Sequence, residues 1–201
     1  MPLAFLVIGI AALVVSGYSP LDPFTWALEI CPAVIGAAVM IATYRRFPLT
    51  TLLYALILVH ALILMLGGHY TYAQVPLGFW MQDAFGFTRN HYDRIGHFAQ
   101  GFVPAMIARE LFLRHRVVKR GAWLFAVIVL CCLGISAIYE LIEWWTAELS
   151  GSAADAFLGT QGDPWDTQKD MWMAGLGAAV ALLTLGRVHD RALDAASDCE
   201  K

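Results

Sequence analysis

Charge is what this sequence has least of. Of its 201 residues only 14% are Asp, Glu, Lys or Arg, whereas 59% are hydrophobic and the mean hydropathy is +0.63; soluble domains carry about 25% charged residues. The imbalance excludes an ordinary soluble enzyme, and disorder with it. A net charge of -3 and a pI near 6.0 leave no basic footprint for nucleic acid. Cysteine is also sparse. Cys31, Cys131, Cys132 and Cys199 lie in apolar runs or in the tail, without the C-x-x-C or Cys/His spacing of zinc and redox sites, and read as small apolar fillers. No H-E-x-x-H or G-x-S-x-G motif is present. A serine nucleophile would have to be Ser150 or Ser152, folded back. No internal repeat or low-complexity tract is visible.

What the chain has is long apolar runs separated by turn signals. They predict an all-α, polytopic membrane helix bundle filling residues 1–201 as one integral domain, with spans near 3–16, 25–44, 49–66, 92–113, 122–145 and 165–185. The first run is short and reads as a retained span; a cleaved signal peptide and a missing upstream start are the alternatives. Basic residues set the orientation, because cytoplasmic loops collect Lys and Arg. Arg45, Arg46, Arg114, Arg116, Lys119, Arg120, Arg187, Arg191 and Lys201, nine of the thirteen, fall on one side. That places both termini in the cytoplasm. Eleven of the sixteen acids instead gather at the outer ends of the spans, Asp22, Glu29 and Asp83 among them. The stretches 67–91 and 146–164 read as long outer loops bearing an interfacial aromatic belt.

Three successive spans bring ionisable residues to the same depth. Span four opens with Asp93 and His97, four apart on one helical face that Gln100 and Gly101 continue. At 1.5 Å per residue His97 lies about 7 Å inside the outer end. Span five carries Glu140 and Glu143 on one face, about 27 Å along from Ala122; two like charges one turn apart are relieved by a cation or a shared proton. At the start of span six Asp163 reads as an N-cap, Pro164 as the first helical residue and Asp166 as a first-turn acid. Asp170 escapes that explanation, since it lies a turn deeper and precedes fifteen uncharged residues. Lys169 neutralises a neighbour or snorkels outward.

Intramembrane ionisable groups face the bundle interior and pair. If these helices are adjacent, Asp93, His97, Glu140, Glu143, Asp166 and Asp170 converge on an outward-facing pocket. They are the candidate metal ligands, with His97, Asp170, Glu140 and Glu143 the candidate acid/base groups. A site rich in carboxylates with one or two imidazoles suits Mg, Mn, Zn or Fe. His69, Tyr72, Arg89 and His91 would roof it and meet an anionic head group. A structural ion-pair network with Arg94 and Lys169 is the plainer account of the same residues.

The stretches Gly67-Gly68-His69-Tyr70-Thr71-Tyr72, Arg89-Asn90-His91-Tyr92-Asp93-Arg94-Ile95-Gly96-His97, Tyr139-Glu140-Leu141-Ile142-Glu143-Trp144 and Gly159 to Met171 (GTQGDPWDTQKDM) resemble, in order, the YjdF family of bacterial inner-membrane proteins. The resemblance implies location and fold and leaves activity open. The second half alone is similar to the VanZ-like pattern, through Asp93-Arg94-x-x-His97-Phe98, Glu140-x-x-Glu143 and the span-six acids. Glu143 stands where that pattern has Gln, and Ala174 where it has Asn. This looser resemblance implies at most a role near envelope lipids or their phosphate head groups.

The expectation is therefore a protein embedded in the lipid bilayer that binds or processes an envelope amphiphile, with a divalent metal as the candidate cofactor. Two alternatives use other features. The carboxylates could serve a cation- or proton-coupled transporter, although below the cluster spans four to six offer little beyond Thr184, Arg109 and Glu110. Gly96, Gly101, Gly134, Gly175 and Gly177 could instead pack a membrane assembly partner, or simply the bundle itself.

Overall fold

The computed structural model describes residues 3–150, 155–158 and 160–199; Ser152 and Lys201 lie outside them. Every regular element among them is helical. Helices α1 (Leu3–Ser16), α2 (Pro23–Thr43), α3 (Thr51–Tyr70), α5 (Tyr92–Arg114), α6 (Ala122–Ser150) and α8 (Asp166–Cys199) are the long elements. Two short ones, α4 (Pro76–Phe85) and α7 (Asp155–Leu158), sit in the connections. Four helices, α2, α3, α6 and α8, are long and apolar enough to cross a membrane. The count of six adds α1, whose 14 residues reach about 21 Å, and α5.

Asp22 starts α2 by accepting from the backbone N–H of Phe24 and Thr25, both at 3.2 Å, with Pro23 at the first helical position. The stretch 67–91 is not one loop, as its aromatic and turn residues suggested. The helix α3 runs on to Tyr70, a 3-10 turn spans Tyr72–Gln74, and α4 follows, opened by Pro76 and closed by Gly86 at φ +68°. The last helix likewise continues past residue 185, because backbone hydrogen bonding persists after the apolar run stops.

Among the described residues, the central helix buries the most ionisable side chains. On α5, Arg94, His97, Arg109 and Glu110 are all buried, and the helix packs against α3, α6 and, most extensively, α8. Small residues make that last contact close. Any Cβ on Gly101 would overlap the Ala174 carbonyl, and one on Gly177 would overlap the Phe98 carbonyl. Ala178 and Ala181 continue the seam into the core with Leu53, Met106 and Ile128. Gly96 and Gly175 are also spent inside the bundle, against Tyr72 and Leu133, whereas Gly134 faces open space.

At the basic end the bundle is tied by a second buried network. Glu110 accepts from the Thr50 backbone N–H at 3.0 Å and its hydroxyl at 2.8 Å, and lies 2.9 Å from His189 Nε2. Arg109 contacts His189 Nδ1 at 2.9 Å and donates to Asp190 at 2.7 Å. Cys31, Cys131 and Cys132 are free.

Candidate functional site

The outer end of α5 is anchored before its acids begin. Asn90 accepts from the Tyr92 N–H at 3.0 Å and donates to the Val75 carbonyl at 3.0 Å. Gln161 brackets it from the far connection, accepting from the Asn90 N–H at 3.2 Å and donating to its carbonyl at 2.8 Å. Arg89 then reaches Asp166 at 2.7 Å and the Thr160 carbonyl at 2.5 Å. Arg94 pairs with both Asp166 and Asp170. Asp163 and Pro164, expected as cap and first helical residue, lie instead in the turn before α8, which begins at Asp166; Asp163 accepts from the Trp165 N–H at 3.0 Å and receives Lys169 at 2.6 Å. The Lys169 hydrogen bond is the main reason that the half-buried Asp163 carboxyl is held below the usual carboxylate range.

Within this frame Asp93, His97 and Asp170 each offer one ligand atom, all within 4.8 Å of one another. His97 is 6% exposed and Asp170 2%. The His97 Nε2 lies 3.4 Å from Asp93 and 3.7 Å from Asp170, while its Nδ1 lies 2.8 Å from Gln100 Oε1. Glu140 approaches from α6, with Oε1 3.9 Å from His97 Nδ1 and no hydrogen-bond partner. Asp166 stands apart from this group, engaged by Arg89 and Arg94.

Asp93, His97 and Glu143 line one end of a cavity of about 590 Å³ between α1, α2, α3, α5 and α6. Its remaining wall is mostly aliphatic, with Leu6, Leu13, Ile57, Leu64 and Ile107 representative. Glu29, His60 and Tyr139, which sequence reasoning did not assign to a site, face the same space. Glu29, 4% exposed, receives the Tyr139 hydroxyl at 3.4 Å. His60 brings a buried Nε2 without a hydrogen-bond partner. Glu29 was visible as an outer acid but has no partner at helical spacing, and His60 sits alone in an apolar run, so neither carried a local signal.

The expected roof is distributed differently. Tyr72 is a buried wall, seated where α3 turns back and pressed against Gly67 and Gly96. His69 holds the Ser16 carbonyl at 2.9 Å, which ties α3 to α1. Arg89 is ion-paired as above. His91 packs edge-on to Phe87, with ring centroids 4.8 Å apart, on a separate shallow surface beside Arg94. Burial, and then the Arg89 and Arg94 charges, lower its pKa.

The family model described as "Predicted membrane protein (DUF2238)" matches residues 1–191. The inner membrane protein YjdF of Escherichia coli strain K12 is 53% identical over 182 residues, covering 90% of this chain and 87% of that protein. The chain belongs to the YjdF family. Its membership and its apolar helices make it a multi-pass inner-membrane protein. No solved structure matches it. All four motif stretches named from the sequence fall within the matched region, and three of them supply the Arg89–Asp166 frame, the Asp93–His97–Asp170 group and Glu140 of this YjdF-family chain.

Proposed function

We propose that this protein binds an envelope amphiphile, with the chain of the ligand in the aliphatic cavity and its polar head at the acidic and histidine end. The reading places that end toward the periplasm, on the side opposite the basic loops. One observation carries it: a cavity of about 590 Å³, within the size range of ligand pockets, has Glu29, Asp93, His97, Gln100, Tyr139 and Glu143 toward the outer ends of its helices, His60 alone further in, and a lining otherwise nearly all apolar. Such segregation suits a molecule with one polar and one apolar end. His97, Glu140, Glu143 and Asp170 are the groups available to move protons at the head, with Arg94 holding Asp170 in place.

The test is native mass spectrometry of the full chain released from detergent, alongside Ala61→Phe, which fills the cavity from α3. Wild type is expected to retain a lipid-mass adduct and the variant to lose it. Equal occupancy in both, with both folded, would place the lipid elsewhere and end this reading. A second reading, proton-coupled transport, draws on His60, which extends polar chemistry further inward than spans four to six offered. A proton flux in proteoliposomes that survives Ala61→Phe but not His60→Leu would favour it.

A further inference from the structure

The acids at the outer end fall into two sets. Asp163 and Asp166 are matched by Lys169, Arg89 and Arg94. Asp93 and Asp170 face His97 with only Arg94 shared between them, at 3.7 Å from Asp93 and in closer contact with Asp170. The amide oxygen of Gln100 can only accept, so the His97 nitrogen 2.8 Å from it carries the proton. In its neutral form His97 therefore presents the Nε2 lone pair to two carboxylate oxygens, at 3.4 and 3.7 Å.

In that form three acceptors are turned on one another in a buried site, with Arg94 in close contact only with Asp170 among them, and a proton or a metal cation between them removes the repulsion. The spacing suits the metal. For ligand bonds of roughly 2.1 Å, adjacent atoms of a tetrahedral zinc site lie about 3.4 Å apart. Independently, Glu140 is 8% exposed and directs an oxygen without a hydrogen-bond partner toward the same imidazole. Excess buried carboxylate around one imidazole is the donor set of a hard or borderline ion.

We propose that Asp93, His97 and Asp170 bind a single divalent cation, zinc or manganese in class. Gln100 fixes the ring that presents Nε2, and Glu140 supports it from α6. With three protein ligands a fourth position remains, and Asp93 and His97 both border the cavity. The ion supplies positive charge where a phosphate head group would otherwise meet only acids. That last role rests on the amphiphile reading; the binding of the ion does not.

The full chain, purified in detergent and stripped with EDTA, is titrated with zinc or manganese chloride and its retained metal measured by elemental analysis and calorimetry. Lipid occupancy is followed on the same samples. Wild type is expected to take up a single ion per chain, and His97→Ala and Asp93→Asn to lose it. The Gln100→Ala variant keeps the stoichiometry but binds about 10–100-fold more weakly. Folded wild type that retains neither ion overturns the metal site, even if lipid remains bound. Equal uptake by wild type, His97→Ala and Asp93→Asn overturns it too. Ion uptake without lipid occupancy upholds the metal site and sinks only the amphiphile reading.

Discussion

Arg94 and His97 stand three residues apart on α5 and share Asp170. Arg94 turns to Asp166 and Asp170 on α8, while His97 lies among Asp93, Asp170, Gln100 and Glu140. Outside the bundle the same logic is measurable at Asp163, whose folded-state pKa is depressed by Lys169. A depressed carboxyl contributes stability above its unfolded pKa, about 3.9, and loses it as pH falls through the lower folded value. Thermal unfolding in detergent, followed from pH 6 downward, should therefore show a smaller acid-side decline in Asp163→Asn than in wild type. The acid pairs were legible because i, i+4 and i, i+3 spacing needs only one helix. Glu29 with Tyr139, and Asn90 with Gln161, are contacts between distant parts of the chain. No local spacing announces them.

Among the elements, the α5–α8 pair has the least room for change. Ala at Gly101 would drive Cβ into the Ala174 carbonyl of the facing backbone. Overpacking of this kind costs about 1–3 kcal/mol, and backbone against backbone puts Gly101→Ala at the upper end. Gly134, helical and facing open space, gives the control. Gly134→Ala should be neutral or more stable by up to about 1 kcal/mol, because alanine restricts the unfolded chain. Chemical denaturation in detergent micelles separates the two. Hydropathy located the long helices, and α1 and α5 to within a residue, but ended α3, α6 and α8 too early, since composition changes at the membrane edge and hydrogen bonding does not. It missed α4 for a related reason: ten residues with Trp80 and Phe85 exposed look like aromatic loop until Pro76 and Gly86 are read as its start and stop.

For the whole molecule, the two polar ends differ in kind. One gathers carboxylates beside a cavity; the other ties Thr50, Arg109, Glu110, His189 and Asp190 together around the basic loops. The proposed orientation puts the first outside and the second in the cytoplasm. In a cysteine-free background, Trp80→Cys should react with a membrane-impermeant maleimide in cells whose outer membrane alone is permeabilised. Arg116→Cys should react only after the inner membrane is opened. The reverse pattern would invert the molecule and detach the acidic end from envelope chemistry on the periplasmic side. The sequence supplied this axis through its Lys and Arg, but the cavity depends on how α1, α2 and α3 lean on α5, which composition does not encode.

The placement of ion pairs at both ends of one helix pair has a mechanical consequence. Arg94 joins Asp170 near the start of α8, and Arg109 joins His189 and Asp190 near its end, with the Gly101 and Gly177 seam between. A slide of α8 along α5 by one turn would break both couplings at once, so these two helices form a fixed frame. Helices α1 and α2 reach that frame mainly through α3 and form much of the outer wall of the cavity. A ligand entering from the bilayer would meet α1 and α2 first, with α5, braced by α8, behind the cavity.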